Sequence, residues 1–562
     1  MKVKSFLSII ILSFFMNPSA SGSGLVVNAN DPIYLFLQRL ATRGIIHNYS
    51  VSVLSLKRDE IAAFLQEAAE HSERLHGTEQ KILNEYCRDY RRELGEERHT
   101  DIQSGRTAQA PLLSKGGLQK RTKDIFDRDD QQEEKHLFVF EEGASFLWVD
   151  LREKVKIESK SSAFRLLQSD DIHIRGGLGE QLSFQMNAFR YLKTWNPDFP
   201  DTLEEQLGKW GMYQPDSSFT FDDTYASLAF HHKYFDIGLY RQPVLWGPSY
   251  HNNLILSGQA PTLSYFGFTS TFKSVRFSSI HAALLNDSTG IRSAPDDVRN
   301  IQKHLAAHRI DISLFKGRAA LGFTDLIVYG NRGIELAYLT PVNFYWSIEH
   351  NLMDRDNSLL AIDFNTSLIP NLNFYGSLLI DELRFGELGR QWWANKQAVQ
   401  AGLRWSTFVL QCPVNLQVEF SAVRPWTYTH QSISANYAHN GFALGFPYGP
   451  NSQMLYLFAD AYFNRRSYLM TEYSYLRHGK DADAKVWGGD ILSSYLDRDE
   501  NFDHSTTWLM GPIETTHFIK MRLHYELFND CYVIPGLYYL KRTFRQNSEQ
   551  DLFMYIGLTI DI

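Results

Sequence analysis

Residues 414–422 read VNLQVEFSA. Val414, Leu416, Val418, Phe420 and Ala422 alternate strictly with Asn415, Gln417, Glu419 and Ser421, so an extended chain carries one apolar face and one polar face. The same period of two sets Leu182, Phe184, Met186 and Ala188 against Gln181, Ser183, Gln185 and Asn187. It recurs in Ile519, Met521, Leu523, Tyr525 and Leu527 against Lys520, Arg522, His524 and Glu526. Soluble sandwiches alternate as well, so the pattern establishes strands and leaves their solvent open.

The C-terminal strand narrows the choice. Met554, Ile556, Leu558, Ile560 and Ile562 share one face, with Tyr555, Gly557, Thr559 and Asp561 on the other. Gly557 followed by Ile560 and Ile562 resembles the terminal signal read by barrel-assembly machinery, with isoleucine in place of the usual terminal aromatic. At the other end, Lys2 and Lys4 precede an apolar run from Phe6 to Met16, and Pro18, Ser19, Ala20, Ser21 and Gly22 follow it. That run is about eleven residues, short of the roughly 20 a bilayer-spanning helix needs. Residues 1–22 are therefore expected to be a cleaved secretory signal, and the protein to reach the outer membrane of a Gram-negative cell.

The aromatic content of 14% is high for a chain of negative mean hydropathy, and girdles at the two membrane interfaces of a barrel use such residues. The three cysteines, Cys87, Cys412 and Cys531, are too few and too far apart for a disulfide framework or a zinc site. A formal charge of −8 without a basic block argues against nucleic acid as a partner.

Ahead of the strands, residues 30–94 carry helical spacing. Asp31 and Pro32 open a helix with Ile33, Leu37 and Leu40 on one face, and Gly44 stops it. A second helix from near Ser55 aligns Ile61, Leu65 and Ala68, and a third over 78–94 aligns Ile82, Tyr86 and Tyr90. This unit reads as a periplasmic or plug module. Residues 95–136 are charged and rich in Gln and Gly, as in a flexible linker. From 137 to 562, about 425 residues allow roughly 18 to 20 strands at about 10 per strand plus connections. The expected fold is an all-β transmembrane barrel of about 18 antiparallel strands with a small N-terminal α-helical region. External loops are expected near 196–218, 285–305, 428–453 and 477–510.

Residues 241–261 read RQPVLWGPSYHNNLILSGQAP, and 308–364 include HRIDISLFKG and LGFTDLIVYGNRGIELAYLTPVNFYWSIEHNLMDRDNSLLAIDF. YGSLLIDEL at 375–383, RPWTYTH at 424–430 and PYGPNS at 447–452 follow. In order and spacing these stretches resemble the Wzi-type capsule assembly family. The resemblance implies an outer-membrane barrel that acts as a surface lectin, retaining or organising capsular or other surface polysaccharide, with outer-membrane lipid around it.

Sugar recognition needs aromatic faces for C–H patches and amides, carboxylates and arginine for hydroxyls. The family-like stretches supply Trp246, Tyr250 and Asn253, and then Tyr329, Arg332, Glu335, Asn343, Tyr345, Trp346, Glu349, His350 and Asn351, as glycan-binding candidates. For each, the competing role is a place in the aromatic girdle, the barrel wall or an ion pair. Gly247 and Pro248, and Gly330 with Gly333, read as turn formers. Residues 354–358 offer oxygen ligands but lack the glycine and distal glutamate of a calcium loop. No cofactor is implied.

An enzyme finds little support: there is no G-x-S-x-G elbow, H-E-x-x-H or Walker loop. Adjacent Asp381 and Glu382 would point to opposite faces of a strand, which is unsuited to a glycosidase pair. The rival to a non-enzymatic lectin is a porin-like channel with a water-filled lumen, and a barrel hydrolase ranks last.

Overall fold

The computed structural model describes residues 24–95, 136–195, 218–285 and 302–561. The expected signal peptide, most of the linker, and the loop residues 196–217 and 286–301 lie outside the described residues. Among the described residues eighteen antiparallel strands close into one barrel, and a short strand, Phe138–Glu142, pairs with the start of the first of them. In chain order they are β1 (Ser145–Lys160), β2 (Ala163–Leu178), β3 (Leu182–Trp195), β4 (Ser218–His232), β5 (Phe235–Gln242) and β6 (Leu263–Phe272). Then come β7 (Val275–Leu284), β8 (Lys303–Leu314), β9 (Ala319–Gly330), β10 (Asn357–Thr366), β11 (Leu372–Glu382) and β12 (Lys396–Val409). The circuit finishes with β13 (Cys412–Val423), β14 (Ser452–Asn464), β15 (Ser467–Gly479), β16 (Ile513–Phe528), β17 (Cys531–Phe544) and β18 (Asn547–Asp561). β18 pairs with β1 from Met554↔Ser159 to Asp561↔Arg152, so no sheet edge is left along the circuit.

The stretch that opened the sequence reading lies in β13. Leu416, Val418 and Phe420 are exposed on the outside of the wall, whereas Gln417, Glu419 and Ser421 are buried. This inverts the arrangement of a soluble protein: the apolar face meets lipid and the polar face lines the lumen. Hydrogen-bond register carries the assignment around the barrel. Gln400 faces the lumen, and it lies opposite Ser377, which lies opposite Asp363, which lies opposite Gly322, which lies opposite Asp311. Because side chains alternate, Ile310 on β8 and Phe323 on β9 must point outward, and both are exposed.

The two ends differ. Connections at one end are short turns, such as 233–234, 273–274, 410–411 and 465–466, while the other end carries 243–262, 331–356, 383–395, 424–451 and 480–512. Short turns mark the periplasmic side of such barrels and long loops the outside. The helices α1 (Ile33–Thr42), α2 (Arg58–Glu70) and α3 (Gly77–Asp89) sit at the short-turn end. Asp31 Oδ1 accepts the Ile33 N–H at 3.0 Å. Gly44, at φ +67°, ends α1 in the left-handed conformation and lets the Ile45 N–H reach the Leu40 carbonyl at 2.9 Å. The apolar stripes expected from sequence make the core of this unit, through Ile33, Leu37, Leu40, Ile61, Leu65, Ala68 and Ile82.

The unit packs against the short-turn end of the barrel. Arg39, fully buried, holds Glu79 at 2.6 Å and donates to the Val414 carbonyl at 2.8 Å and the Thr407 carbonyl at 3.1 Å, beside the β12–β13 turn. Asn48 N–H reaches the Gly317 carbonyl at 3.0 Å, and Arg465 pairs with Glu85 at 2.6 Å. No helix among the described residues is long and apolar enough to cross a membrane.

Candidate functional site

The twelve residues singled out from sequence fall in two places. Trp246, Tyr250 and Asn253 belong to the β5–β6 loop, which turns into the lumen and is buried there. Leu245–Trp246 pairs with Val53–Leu54 of the helical unit on one side and with Leu256–Ser257 on the other. Gly247 is required by close approach, since a Cβ there would lie 2.5 Å from Asn253 Oδ1, which accepts the Ser249 N–H at 2.8 Å. The lumen wall answers the loop's polar groups. Gln400 donates to the Asn252 carbonyl at 2.7 Å, and Arg404 to the Pro248 carbonyl at 2.7 Å. Glu419 accepts from Asn252 at 3.1 Å and from the Tyr375 hydroxyl at 2.7 Å. Tyr428 and Tyr437 of the β13–β14 loop donate to the Leu254 and Ile255 carbonyls at 2.8 and 2.7 Å, so two infolded loops meet inside the lumen above the helices.

Of the other nine, Tyr329 ends β9 on an outward position, and Arg332, Glu335, Asn343, Tyr345, Trp346, Glu349, His350 and Asn351 occupy the β9–β10 loop. That loop forms α4 (Leu336–Leu339) and α5 (Tyr345–Asn351). Tyr345 packs at 4.5 Å on His308, and its N–H reaches Asp325 Oδ2 at 2.8 Å. Asp325 and His308 are outward positions, so this loop lies against the outside of the wall. Arg332 is committed to a bidentate pair with Asp356 at 2.8 and 2.6 Å, and Tyr338 also donates to Asp356 at 2.8 Å. Asn343 and Asn351 spend their amides on the Ala337 and Ser347 carbonyls at 2.9 and 3.1 Å. Trp346 and His350 are exposed side by side, with ring centroids 4.4 Å apart. The lumen group and this outer group form no common site.

A third cluster, absent from the sequence reading, faces outward at the long-loop end. The β11–β12 loop brings Trp392 and Trp393, and the β15–β16 loop brings Trp487, Tyr495, His504 and Trp508. Trp392 lies 4.7 Å from His504, Trp393 lies 5.4 Å from Tyr495, and the Arg498 guanidinium sits 4.0 Å above Trp393. The family-like stretches build it indirectly. Arg424, from RPWTYTH, donates to the Trp392 and Thr506 carbonyls, both at 3.1 Å, and the Trp393 N–H reaches the Asp503 carbonyl at 2.8 Å. Asn451, from PYGPNS, is buried and holds the Gly479, Trp487 and Met510 carbonyls at 3.0 to 3.2 Å while accepting the Met510 N–H at 2.8 Å. His430 below the cluster is pushed down to about 4, by burial and then by the charge of Lys396, so it is neutral at physiological pH. Trp392 is half-buried, and His504, Gln391 and Arg390 are exposed, which leaves ring surface and hydrogen-bonding groups turned to solvent. The signal in the sequence was the tryptophan pair inside the polar run RQWWANK at 390–396.

Asp381 and Glu382 depart from the expectation that they diverge. A register irregularity between Ile380 and Glu382 brings both to Lys396, at 3.8 and 2.8 Å, so they flank one ammonium as a structural ion pair.

A closed barrel with an apolar outer belt, a helical unit at its short-turn end and loops folded into its lumen defines a protein of the outer-membrane barrel class. The chain belongs to the capsule assembly protein Wzi family, whose model matches residues 125–542. Among solved structures it is similar to Wzi of Escherichia coli, an outer-membrane protein involved in group 1 capsule assembly and described as a carbohydrate-binding β-barrel. The identity is 14% and the TM-score 0.56, over 95% of this chain and 99% of that one. Pseudomonas aeruginosa OprD aligns at 10% identity and a TM-score of 0.41, over 74% of this chain and 94% of the other. No curated protein matches the sequence.

Proposed function

We propose that this outer-membrane protein binds polysaccharide at the cell surface and holds capsule there, as a lectin with neither a catalytic centre nor an open pore. The observation that carries the reading is the combination of a lumen occupied by the buried 244–257 and 428–446 segments with the aromatic cluster around Trp392 outside it. The half-buried Trp392 and exposed His504 rings suit the C–H faces of pyranose rings, and the exposed Arg390 and Gln391 supply directional donors for hydroxyl or carboxylate groups. The occupied lumen counts against the channel alternative. Asp381 and Glu382, both held against Lys396, offer no acid and base flanking a cleft.

Export by cleavage after about residue 22 and insertion through the terminal strand by the barrel-assembly machinery belong to the same reading. Intact-mass measurement of the mature protein checks the cleavage. The binding claim is tested by titrating purified protein with surface polysaccharide from its own cells. Wild type is expected to bind, and Trp392→Ala with His504→Ala to bind several-fold more weakly with an unchanged barrel; equal binding by the variant would remove the cluster from the site.

A further inference from the structure

The β9–β10 loop poses a question that glycan binding does not answer: why does an external loop lie on the outer wall? Outward positions on β8 and β9 divide sharply along the strands. Ile310 and Phe323 are exposed, as lipid-facing residues are, but one pair further toward the outside His308 and Asp325 are covered, and beyond them Ala306, Ile327 and Tyr329 are fully buried. What covers them is the inner side of the loop, through Tyr338 and Tyr345 with Ile348 and Leu352. The loop therefore begins where the apolar belt ends.

Its exposed positions include several large apolar side chains. Leu336, Val342 and Met353 are 74%, 84% and 89% exposed, and Phe344 and Trp346, 6.0 Å apart, are about half exposed. Exposed apolar area is unfavourable in water, and several such residues within one short loop mark a surface that meets something other than water. Next to the Ile310 and Phe323 belt, the medium outside the wall is the outer leaflet. We propose that residues 331–356 form a foot set into the outer leaflet, its apolar side against acyl chains, with Trp346 at the interface and the exposed His350, Asp354 and Arg355 at headgroup level. The occupant is the membrane's own lipid, and the argument is the foot's continuity with the lipid-facing belt. Arg332 and Asp356, paired at the base, hold the loop's two ends together and keep it folded down.

This rests on the outer-membrane barrel and is independent of where glycan binds. The test uses full-length protein in lipid vesicles carrying a nitroxide at Val342→Cys, at Ile362→Cys on the outer face of β10, or at Leu496→Cys on the exposed β15–β16 loop, with the unsubstituted protein's labelling subtracted. Accessibility to oxygen, which partitions into lipid, is compared with accessibility to a water-soluble nickel chelate. The label at Val342 is expected to match that at Ile362, favouring oxygen, while Leu496 favours nickel. Nickel accessibility at Val342 equal to that at Leu496 would overturn the proposal and leave the barrel standing, whereas nickel accessibility at Ile362 would strike at the barrel itself. Shielding of Val342 from both probes, with cross-linking between copies, would assign the face to a second copy of the chain and also overturn it.

Discussion

Two external loops of this barrel, 243–262 and 331–356, have similar vocabularies of tryptophan, tyrosine and asparagine, and they fold to opposite sides of the same wall. The first enters the lumen because the wall there presents Gln400, Arg404 and Glu419, polar groups whose burial demands partners that Asn252 and the Pro248 carbonyl supply. The second turns outward because β8 and β9 present His308, Asp325 and Tyr329 on the lipid side, where uncovered polar groups are costly. Composition says that such a loop binds something. The wall decides what.

The sharpest way to break the comparison is to remove the inner loop. Deleting residues 245–257 is expected to convert a silent barrel into one with stepwise conductance in planar bilayers; a deletion variant as silent as wild type would show that the 428–446 segment and the helical cap seal the lumen alone. Next in size is Glu419→Ala, which leaves Asn252 and Tyr375 without their buried acceptor and is expected to cost about 3 kcal/mol, read as a lower urea midpoint for loss of heat-modifiable gel mobility. Arg332→Ala should be milder for the barrel, since its pair with the buried Asp356 ties the ends of the loop together and lies outside the strand circuit. It should raise proteolytic nicking within 331–356 while the urea midpoint barely moves. Smaller again is Trp392→Ala alone, at about 1 kcal/mol or roughly fivefold in polysaccharide affinity.

The weakest effect is a pH dependence at the cap. Burial, opposed by Arg465 and reinforced by Glu526, pushes the Glu85 carboxyl from 4.5 up to about 7. The folded state thus holds a proton that the unfolded chain releases, so this group's contribution is full below pH 4.5 and is lost as pH rises through about 7. Hydrogen exchange in α3 is expected to quicken modestly from pH 5 to pH 8 after correction for intrinsic rates. Glu85→Gln should flatten that change.

Much of the fold could be read from period alone. Strict alternation at 414–422 and 519–527, the helical stripes at Ile33, Ile61 and Ile82, and the stop at Gly44 each depend on neighbours a few residues apart, and the barrel and the helical region follow from them. The site was harder. Aromatic and amide residues at 246–253 and 329–351 were visible, but whether they turn in, out or to the surface depends on the strand faces opposite them. Besides the Trp392–Trp393 pair, a local hint was parity: Asp325, His308 and Tyr329 break the apolar outward face of β8 and β9, and such a break requires a cover. The surface cluster was missed because Trp392, Tyr495 and His504 come from loops about a hundred residues apart in sequence and are brought together by Arg424 and Asn451, which touch backbone and leave no pattern in the chain.

The central claim, that the protein holds surface polysaccharide through its external face while its lumen is closed, is met most directly by measuring cell-bound and released polysaccharide from cells making wild type, no protein, or the Trp392→Ala, His504→Ala variant, with the barrel verified in the same membranes. Retention with wild type and release in the other two is the expected result. Full retention without the protein would contradict the capsule role, and full retention with the variant would move the binding surface away from Trp392.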